Sequence, residues 1–191
     1  MLIGFCGPSA VGKTTIMRSL AELHGWKFVR VATTRPVREG ETEKFQVSPE
    51  EYAFMNSNGA FWCSNNFFGN SYGTLQSDIA HSGVTQDTYM LDWPVAKVHL
   101  LSEVATAIFL VVPESEEQLI QQATACGRGD RLGDIIDDYR RNYSTEELGA
   151  LAAKSECPLV LLTNYKSDSG GSFGKVICQS ILTETLLLST T

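Results

Sequence analysis

The sequence predicts an α/β domain built on a parallel sheet flanked by helices, and three observations carry that expectation. Four or five short apolar runs alternate with stretches of helical periodicity, the pattern that places parallel strands between helical crossovers. The first run, Leu2-Ile3-Gly4-Phe5-Cys6, passes straight into a glycine-rich loop, Gly7-Pro8-Ser9-Ala10-Val11-Gly12-Lys13-Thr14, and then into an amphipathic segment with Ile16, Met17, Leu20 and Leu23. The length of 191 residues suits one domain, enough to bury about 70% of the unfolded surface.

Each element follows from local chemistry. The first helix is expected to stop near His24-Gly25, and Trp26 to Ala32 reads as a second strand. Thr33 to Glu41 holds Pro36 and Gly40, which break regular structure, with Arg35 and Arg38 three apart. Ser48-Pro49-Glu50-Glu51 opens a short helix, with a serine N-cap, proline at the first position and acids in the first turn, and Asn58-Gly59 closes it. Ala60 to Tyr72 is aromatic-rich and reads as a small hairpin turning at Asn65-Asn66, with Phe61, Trp62, Phe67 and Phe68 as its own core. Thr74 to His81 reads as helical. Thr88 to Leu91 is a buried strand that delivers Asp92, and Pro94 begins a helix through Val95, Val98 and Leu101. Ala107 to Val112 is another buried strand, followed by a helix from Ser115 to about Cys126. Gly127 to Gly133 is glycine-rich and cationic, the composition of a mobile flap, and a helix with Ile135, Ile136, Tyr139, Arg140 and Arg141 follows. Pro158 to Leu162 is the last strand, Lys166 to Gly171 a polar loop, and Phe173 to Ile181 a closing helix.

Composition narrows the partners. Fifteen basic residues stand against 22 acidic ones, for a net charge of −7, which argues against a nucleic-acid surface or an anionic membrane as the main partner. The five cysteines are an odd number and widely spaced, so reduced thiols in a cytoplasmic setting are expected rather than a disulfide framework or zinc site. The N-terminal apolar run is too short for a secretory leader, and no run is long enough to span a bilayer.

The loop at residues 7–14 is where chemistry first becomes legible. Its G-x-x-x-x-G-K-[ST] spacing between a strand and a helix describes a phosphate cradle. Inward-pointing amides and the positive end of the helix attract a polyphosphate, Lys13 reaches its terminal groups, and the Thr14 hydroxyl can ligate Mg²⁺. A nucleoside triphosphate is the implied ligand.

Several ordered motifs resemble the guanylate kinase family across most of the chain. They are the Gly-Pro-Ser-x-x-Gly-Lys-Thr loop, Thr33-Thr34-Arg35-Pro36-x-Arg38-x-Gly40-Glu41, the Glu50 helix with its Asn-Gly end, and Gly69-Asn70-Ser71-Tyr72-Gly73-Thr74. Leu91-Asp92, Gly127-Arg128-Gly129, the Arg140-Arg141 helix and a final strand ending in Asn164 complete the series. The resemblance implies a single domain with core segments 1–32, 87–126 and 143–191. Into that core it inserts an acceptor-binding subdomain at 33–86 (a small antiparallel sheet plus a helix), and it places a mobile lid at 127–142. It further implies ATP-dependent phosphoryl transfer to a nucleoside monophosphate by a monomer or homodimer, with ATP and Mg²⁺ as cofactors. Gly7, Ser9, Ala10, Val11, Gly12, Lys13, Thr14, Thr15, Arg128 and Asn164 would bind ATP. Lys13, Arg131, Arg140 and Arg141 would surround the transferring group; Asp137 and Asp138 on the same helix suit a structural ion pair with at least one of the last two, and which of those two is catalytic is an even choice. Thr34, Arg35, Arg38, Phe45, Cys63, Tyr72, Thr74, Asp92 and Pro94 would face the acceptor, and Thr14 and Asp92 the metal. Two arginines can clamp an acceptor phosphate through paired donors, and Tyr72 can add a hydroxyl.

The departures from the family pattern fall on the acceptor base. The positions expected to carry a hairpin acid and a second strand-end Asp are Cys63 and Pro94, and only the hydroxyl of Thr74 survives. The second expected tyrosine is Phe45. Cysteine and proline cannot accept from the guanine N1–H and amino group, so discrimination for guanine is expected to weaken. A deoxy, modified or non-guanine nucleotide, a phosphorylated sugar such as ribose bisphosphate, or a non-catalytic binding module are the alternatives this leaves.

Overall fold

The computed structural model describes residues 1–67 and 69–164, and the expected polar loop at 166–171 and closing helix at 173–181 lie outside them. The described residues form two compact units: Met1–Leu2 with Lys27–Tyr89, and Ile3–Trp26 with residues 90–164.

The larger unit is a parallel α/β sheet with flanking helices. Its strands β1 (Leu2–Cys6), β7 (Tyr89–Asp92), β8 (Ala107–Pro113) and β9 (Leu159–Asn164) run in the order β7-β1-β8-β9. Pairing is parallel at β1–β8, where Phe5 sits beside Phe109, and at β8–β9, where Leu110 sits beside Leu161. All five residues of β1 are buried, as an unbroken apolar run in a sheet covered on both faces requires. Helices α1 (Lys13–His24), α4 (Val98–Ser102), α5 (Glu116–Ala125), α6 (Leu132–Asn142) and α7 (Thr145–Lys154) belong to this unit. Its core gathers Ile3, Phe5, Met17, Leu20, Met90, Leu101, Phe109, Leu119 and Ile135. Gly4 is needed for close approach, because a Cβ there would lie 2.4 Å from Leu101 Cδ2 on α4.

The smaller unit holds β2 (Lys27–Phe28), β3 (Val31–Thr33), β4 (Lys44–Gln46), β5 (Phe61–Phe67) and β6 (Asn70–Leu75), with helices α2 (Pro49–Ser57) and α3 (Gln76–Ser82). A four-stranded sheet has the order β4-β3-β6-β5. Helix α2 opens with the expected cap: Ser48 Oγ accepts from the Glu51 amide at 3.1 Å, and the Glu51 carboxylate accepts from the Ser48 amide at 2.7 Å.

Five sequence expectations need correction. The small sheet is mixed rather than antiparallel, because the unforeseen strand β4 lies parallel to β3. Residues 26–32 do not form one strand: β2 ends at Phe28 and β3 begins at Val31, with Arg30 between them anchored by its amide and guanidinium to the buried Asp78. The hairpin does not turn at Asn65-Asn66, since Asn66 pairs with Ser71 and Phe67 with Asn70, and the reversal uses Gly69 at φ +72°. Thr74 and Leu75 extend β6, so the next helix starts at Gln76 rather than Thr74. Phe67, assigned to the hairpin's core, is exposed. Among the described residues no helix is long and apolar enough to cross a membrane.

Candidate functional site

The phosphate loop joins β1 to α1 in the larger unit. Helix α1 begins after Gly12, whose left-handed φ of +98° is open to glycine, and its N-terminus has no side-chain cap and no acid in the first turn. Its first amides are therefore left for an outside acceptor, and an anion is what their dipoles favour. Gly7 is required by space, since a Cβ there would come within 2.4 Å of the Val111 carbonyl oxygen.

Lys13 is folded back over the loop. Its Nζ donates to the carbonyls of Gly7 at 2.8 Å and Pro8 at 3.0 Å, and lies 3.6 Å from Asp92 Oδ1 at the end of β7. The lysine is largely buried and the aspartate half-buried, so the pair is an ammonium poised beside a carboxylate at the mouth of the cradle. Thr14 is half-buried and Thr15 exposed. Beneath them Cys6 is fully buried, and burial followed by the nearby Asp92 charge drives its thiol far above the ordinary range, so it is an inert core group.

Asn164 at the end of β9 braces this loop. Its Nδ2 donates to the Val11 carbonyl at 2.7 Å, and a Cβ on Gly12 would lie 2.9 Å from that nitrogen. Asn164 is itself held by Gln118, a buried residue the sequence reading passed over. Gln118 Nε2 donates to the Asn164 carbonyl at 2.8 Å while its Oε1 accepts from the Glu114 amide at 2.8 Å. A polar residue at a buried position of an amphipathic helix was the available signal.

The arginines of residues 127–142 divide. Arg128 donates from Nη1 to Ser9 Oγ, tying this segment to the phosphate loop. Arg131 is half-buried at the end of the short 3₁₀ turn Gly129–Arg131. Arg140 grips Glu116 of α5 through two bonds, at 2.8 and 2.6 Å, rather than Asp137 or Asp138, and Arg141 is exposed on α6. The flap expected at 127–133 is partly helical, because Leu132 and Gly133 already belong to α6. Helix α7 was unforeseen although Ser144 and Glu147 supply its cap, the serine Oγ accepting from the Glu147 amide at 3.2 Å.

The residues of the smaller unit expected to face an acceptor gather around Glu41. Arg35, 12% exposed, donates from Nη2 to Glu41 Oε1 at 2.8 Å; Arg38 donates its amide to Glu41 Oε2 at 3.0 Å and holds Nη1 3.7 Å from Oε1. Burial pushes the Glu41 carboxyl upward, but the Arg35 bond, the Arg38 amide and the charges of Lys44 and Arg35 outweigh it and hold the group at about 2. Desolvation also opposes the charge on Arg35, yet its bonds to Glu41 and Tyr72 keep it firmly protonated. Tyr72 thus stands beside Arg35. Thr34 has its hydroxyl engaged, accepting from the Ser71 amide at 2.9 Å.

Cys63 and Thr74 are cross-strand partners on β5 and β6, so the structure does bring these two together. Thr74 is buried, and the Cys63 thiol donates to the Ser64 carbonyl at 3.8 Å. Phe45 is half-buried in β4, beside Ala32 of β3. Pro94, in the larger unit, precedes a 3₁₀ turn at Val95–Lys97 rather than opening an α-helix directly.

Comparison with known proteins agrees with this architecture. The family model described as guanylate kinase matches residues 2–137. The guanylate kinase of Symbiobacterium thermophilum is 36% identical over 134 residues, 66% of this chain and 63% of that protein. That of Streptomyces kasugaensis is 30% identical over 168 residues, 85% of this chain and 79% of that protein. The chain thus spans just under two thirds of the first relative and more of the second. The crystal structure of guanylate kinase from Anaplasma phagocytophilum superimposes with a TM-score of 0.59, covering 96% of this chain and 85% of that one at 15% identity, a likeness of fold.

Proposed function

The chain belongs to the guanylate kinase family, and from that premise we propose that it transfers the terminal phosphoryl group of ATP to a nucleoside monophosphate. The observation that carries this reading is the intact cradle: uncapped amides at the start of α1, with Lys13 held 3.6 Å from Asp92. In the transfer, an oxygen of the acceptor phosphate forms a bond to the γ-phosphorus as the bridge to the β-phosphate breaks. ADP and a nucleoside diphosphate are released. The acceptor phosphate is already anionic, so no general base is needed, and the protein's task is to position two polyanions and offset their charge.

Lys13 and the α1 amides hold the donor phosphates in this scheme, with Arg128 near the donor base and Arg131, Arg140 and Arg141 placed around the transferring group. Thr14 and Asp92 suit Mg²⁺: a hydroxyl and one carboxylate are hard oxygen donors, and Mg²⁺ in such sites completes its shell with phosphate oxygens and water. When bound, the ion offsets negative charge on the phosphates. Arg35, Arg38 and Tyr72 bind the acceptor phosphate. The proposed organisation remains a core at 1–32, 87–126 and 143–191, an acceptor subdomain at 33–86 and a lid at 127–142.

GMP is the acceptor that the relatives support, and nothing in the comparisons favours a sugar phosphate or a non-catalytic role. Cys63 and Pro94 bear on the base: a thiol is only a weak acceptor and the proline ring none, so selectivity for GMP over other nucleotides is proposed to be shallow. A coupled ADP-release assay over GMP, dGMP, IMP, AMP and ribose bisphosphate tests both statements. Turnover with GMP is expected, with IMP or AMP within about two orders of magnitude in kcat/KM, since two missing base contacts remove a few kcal/mol of discrimination. Strict use of GMP contradicts the shallow selectivity; no turnover with any acceptor contradicts the enzyme reading.

A further inference from the structure

The smaller unit holds a third cation that the motifs did not single out. Lys44 opens β4, yet its side chain is only 13% exposed. Its Nζ donates to Glu43 Oε1 at 3.0 Å and lies 3.7 Å from Glu41 Oε1. That same Glu41 oxygen takes Arg35 Nη2 at 2.8 Å and has Arg38 Nη1 at 3.7 Å. Three cationic side chains therefore converge on one carboxylate oxygen.

The charges do not balance. Arg35, Arg38 and Lys44 face Glu41 and Glu43, leaving one positive charge in excess; all but the half-exposed Arg38 are largely out of water. A cluster built for stability alone gains from neutrality, because an unpaired charge out of water is costly. A cluster built to receive a dianion has to keep a surplus. The donors are also underused: an ammonium carries three, and among the described residues Lys44 makes one hydrogen bond, to Glu43. Glu43 is itself buried and its Oε2 has no hydrogen-bond partner, so Lys44 is held by one hydrogen bond and the longer ion pair to Glu41. Glu41, held at about 2, stays ionised at neutral pH and keeps the three cations gathered.

We propose that Lys44 is the third cation of the acceptor-phosphate clamp, binding the phosphate of the nucleoside monophosphate together with Arg35 and Arg38. The inference rests on the proposed function and moves one role by a single residue: the donor expected at Phe45 is supplied by its neighbour. Alternation along β4 places the two side chains on opposite faces, so the phenyl ring cannot share the task.

Calorimetric titration of the full chain with GMP, inorganic phosphate and ATP tests this in the wild type, Lys44→Met and Lys44→Arg. A partly buried charge-assisted contact predicts GMP binding about 10- to 100-fold weaker in Lys44→Met, a parallel loss for inorganic phosphate, and recovery to within about threefold in Lys44→Arg. ATP affinity, set in the other unit, is expected to be unchanged and shows that the variants are folded. Equal GMP binding by wild type and Lys44→Met overturns the proposal, as does equal weakening in Lys44→Arg, which assigns the lysine a packing role. If wild type binds phosphate but not GMP, and Lys44→Met loses phosphate, the clamp stands and the acceptor assignment falls. If wild type binds neither, both fall.

Discussion

Replacing Glu41 by glutamine removes one charge and leaves the shape, so it isolates what the carboxylate contributes. The side chain is 8% exposed and is bonded to Arg35 at 2.8 Å and to the Arg38 amide at 3.0 Å. Its carboxyl lies at about 2 in the folded protein against an ordinary value of 4.5. At about 1.4 kcal/mol per unit, that gap corresponds to roughly 3 kcal/mol of stability, in the range seen when one partner of a buried ion pair is removed. Because the folded value lies below the unfolded one, this contribution is complete above about pH 5 and drains away as pH falls toward 2. Glu41→Gln is therefore expected to cost about 3 kcal/mol at pH 7 and progressively less below pH 4, converging on wild type. Urea unfolding followed by tryptophan fluorescence at pH 7, 5, 4 and 3 measures the difference at each pH. A variant as stable as wild type at pH 7, or a difference that does not shrink with acid, refutes the reasoning.

Gly12→Ala combines a left-handed backbone with a Cβ 2.9 Å from Asn164 Nδ2. It is expected to cost about 1–3 kcal/mol and to weaken ATP binding more than acceptor binding, as denaturation and calorimetry would show. Gln118→Met keeps the bulk but leaves the Glu114 amide and Asn164 carbonyl without partners. About 1–3 kcal/mol for each buried orphan predicts a thermal midpoint several degrees lower and a higher KM for ATP, with the acceptor KM unchanged. Arg140→Ala and Glu116→Ala, by contrast, break an exposed pair and should leave the unfolding midpoint where it is. If Arg140 acts on the transferring phosphate, its variant alone loses turnover in steady-state assays; equal turnover in the two variants assigns that role to Arg141.

What could be read in advance was local. The Gly7–Thr14 loop declares itself because its strand, its glycines and its helix are contiguous, and the Ser48 cap because its partner is three residues away. Contacts that cross the chain stayed hidden. Arg140 has Asp137 and Asp138 as neighbours on its own helix, yet its hydrogen bonds go to Glu116, 24 residues earlier. Lys44 and Glu43 sit in a three-residue strand and its approach, too short for any periodicity, so nothing marked them as part of a charge cluster. Gln118 looked like one more polar residue on α5 until the fold brought the end of β9 against it. The hairpin turn was misplaced because Asn65-Asn66 is as turn-like in composition as Gly69, and only cross-strand pairing decides between them.

The central claim, ATP-dependent transfer to a nucleoside monophosphate, is tested most directly by following the labelled γ-phosphate of ATP in the presence of GMP and Mg²⁺. The label is expected in GDP with wild type, falling at least 100-fold with Lys13→Met as the ammonium beside Asp92 is lost. Label released only as inorganic phosphate, or equal transfer by Lys13→Met, would contradict it.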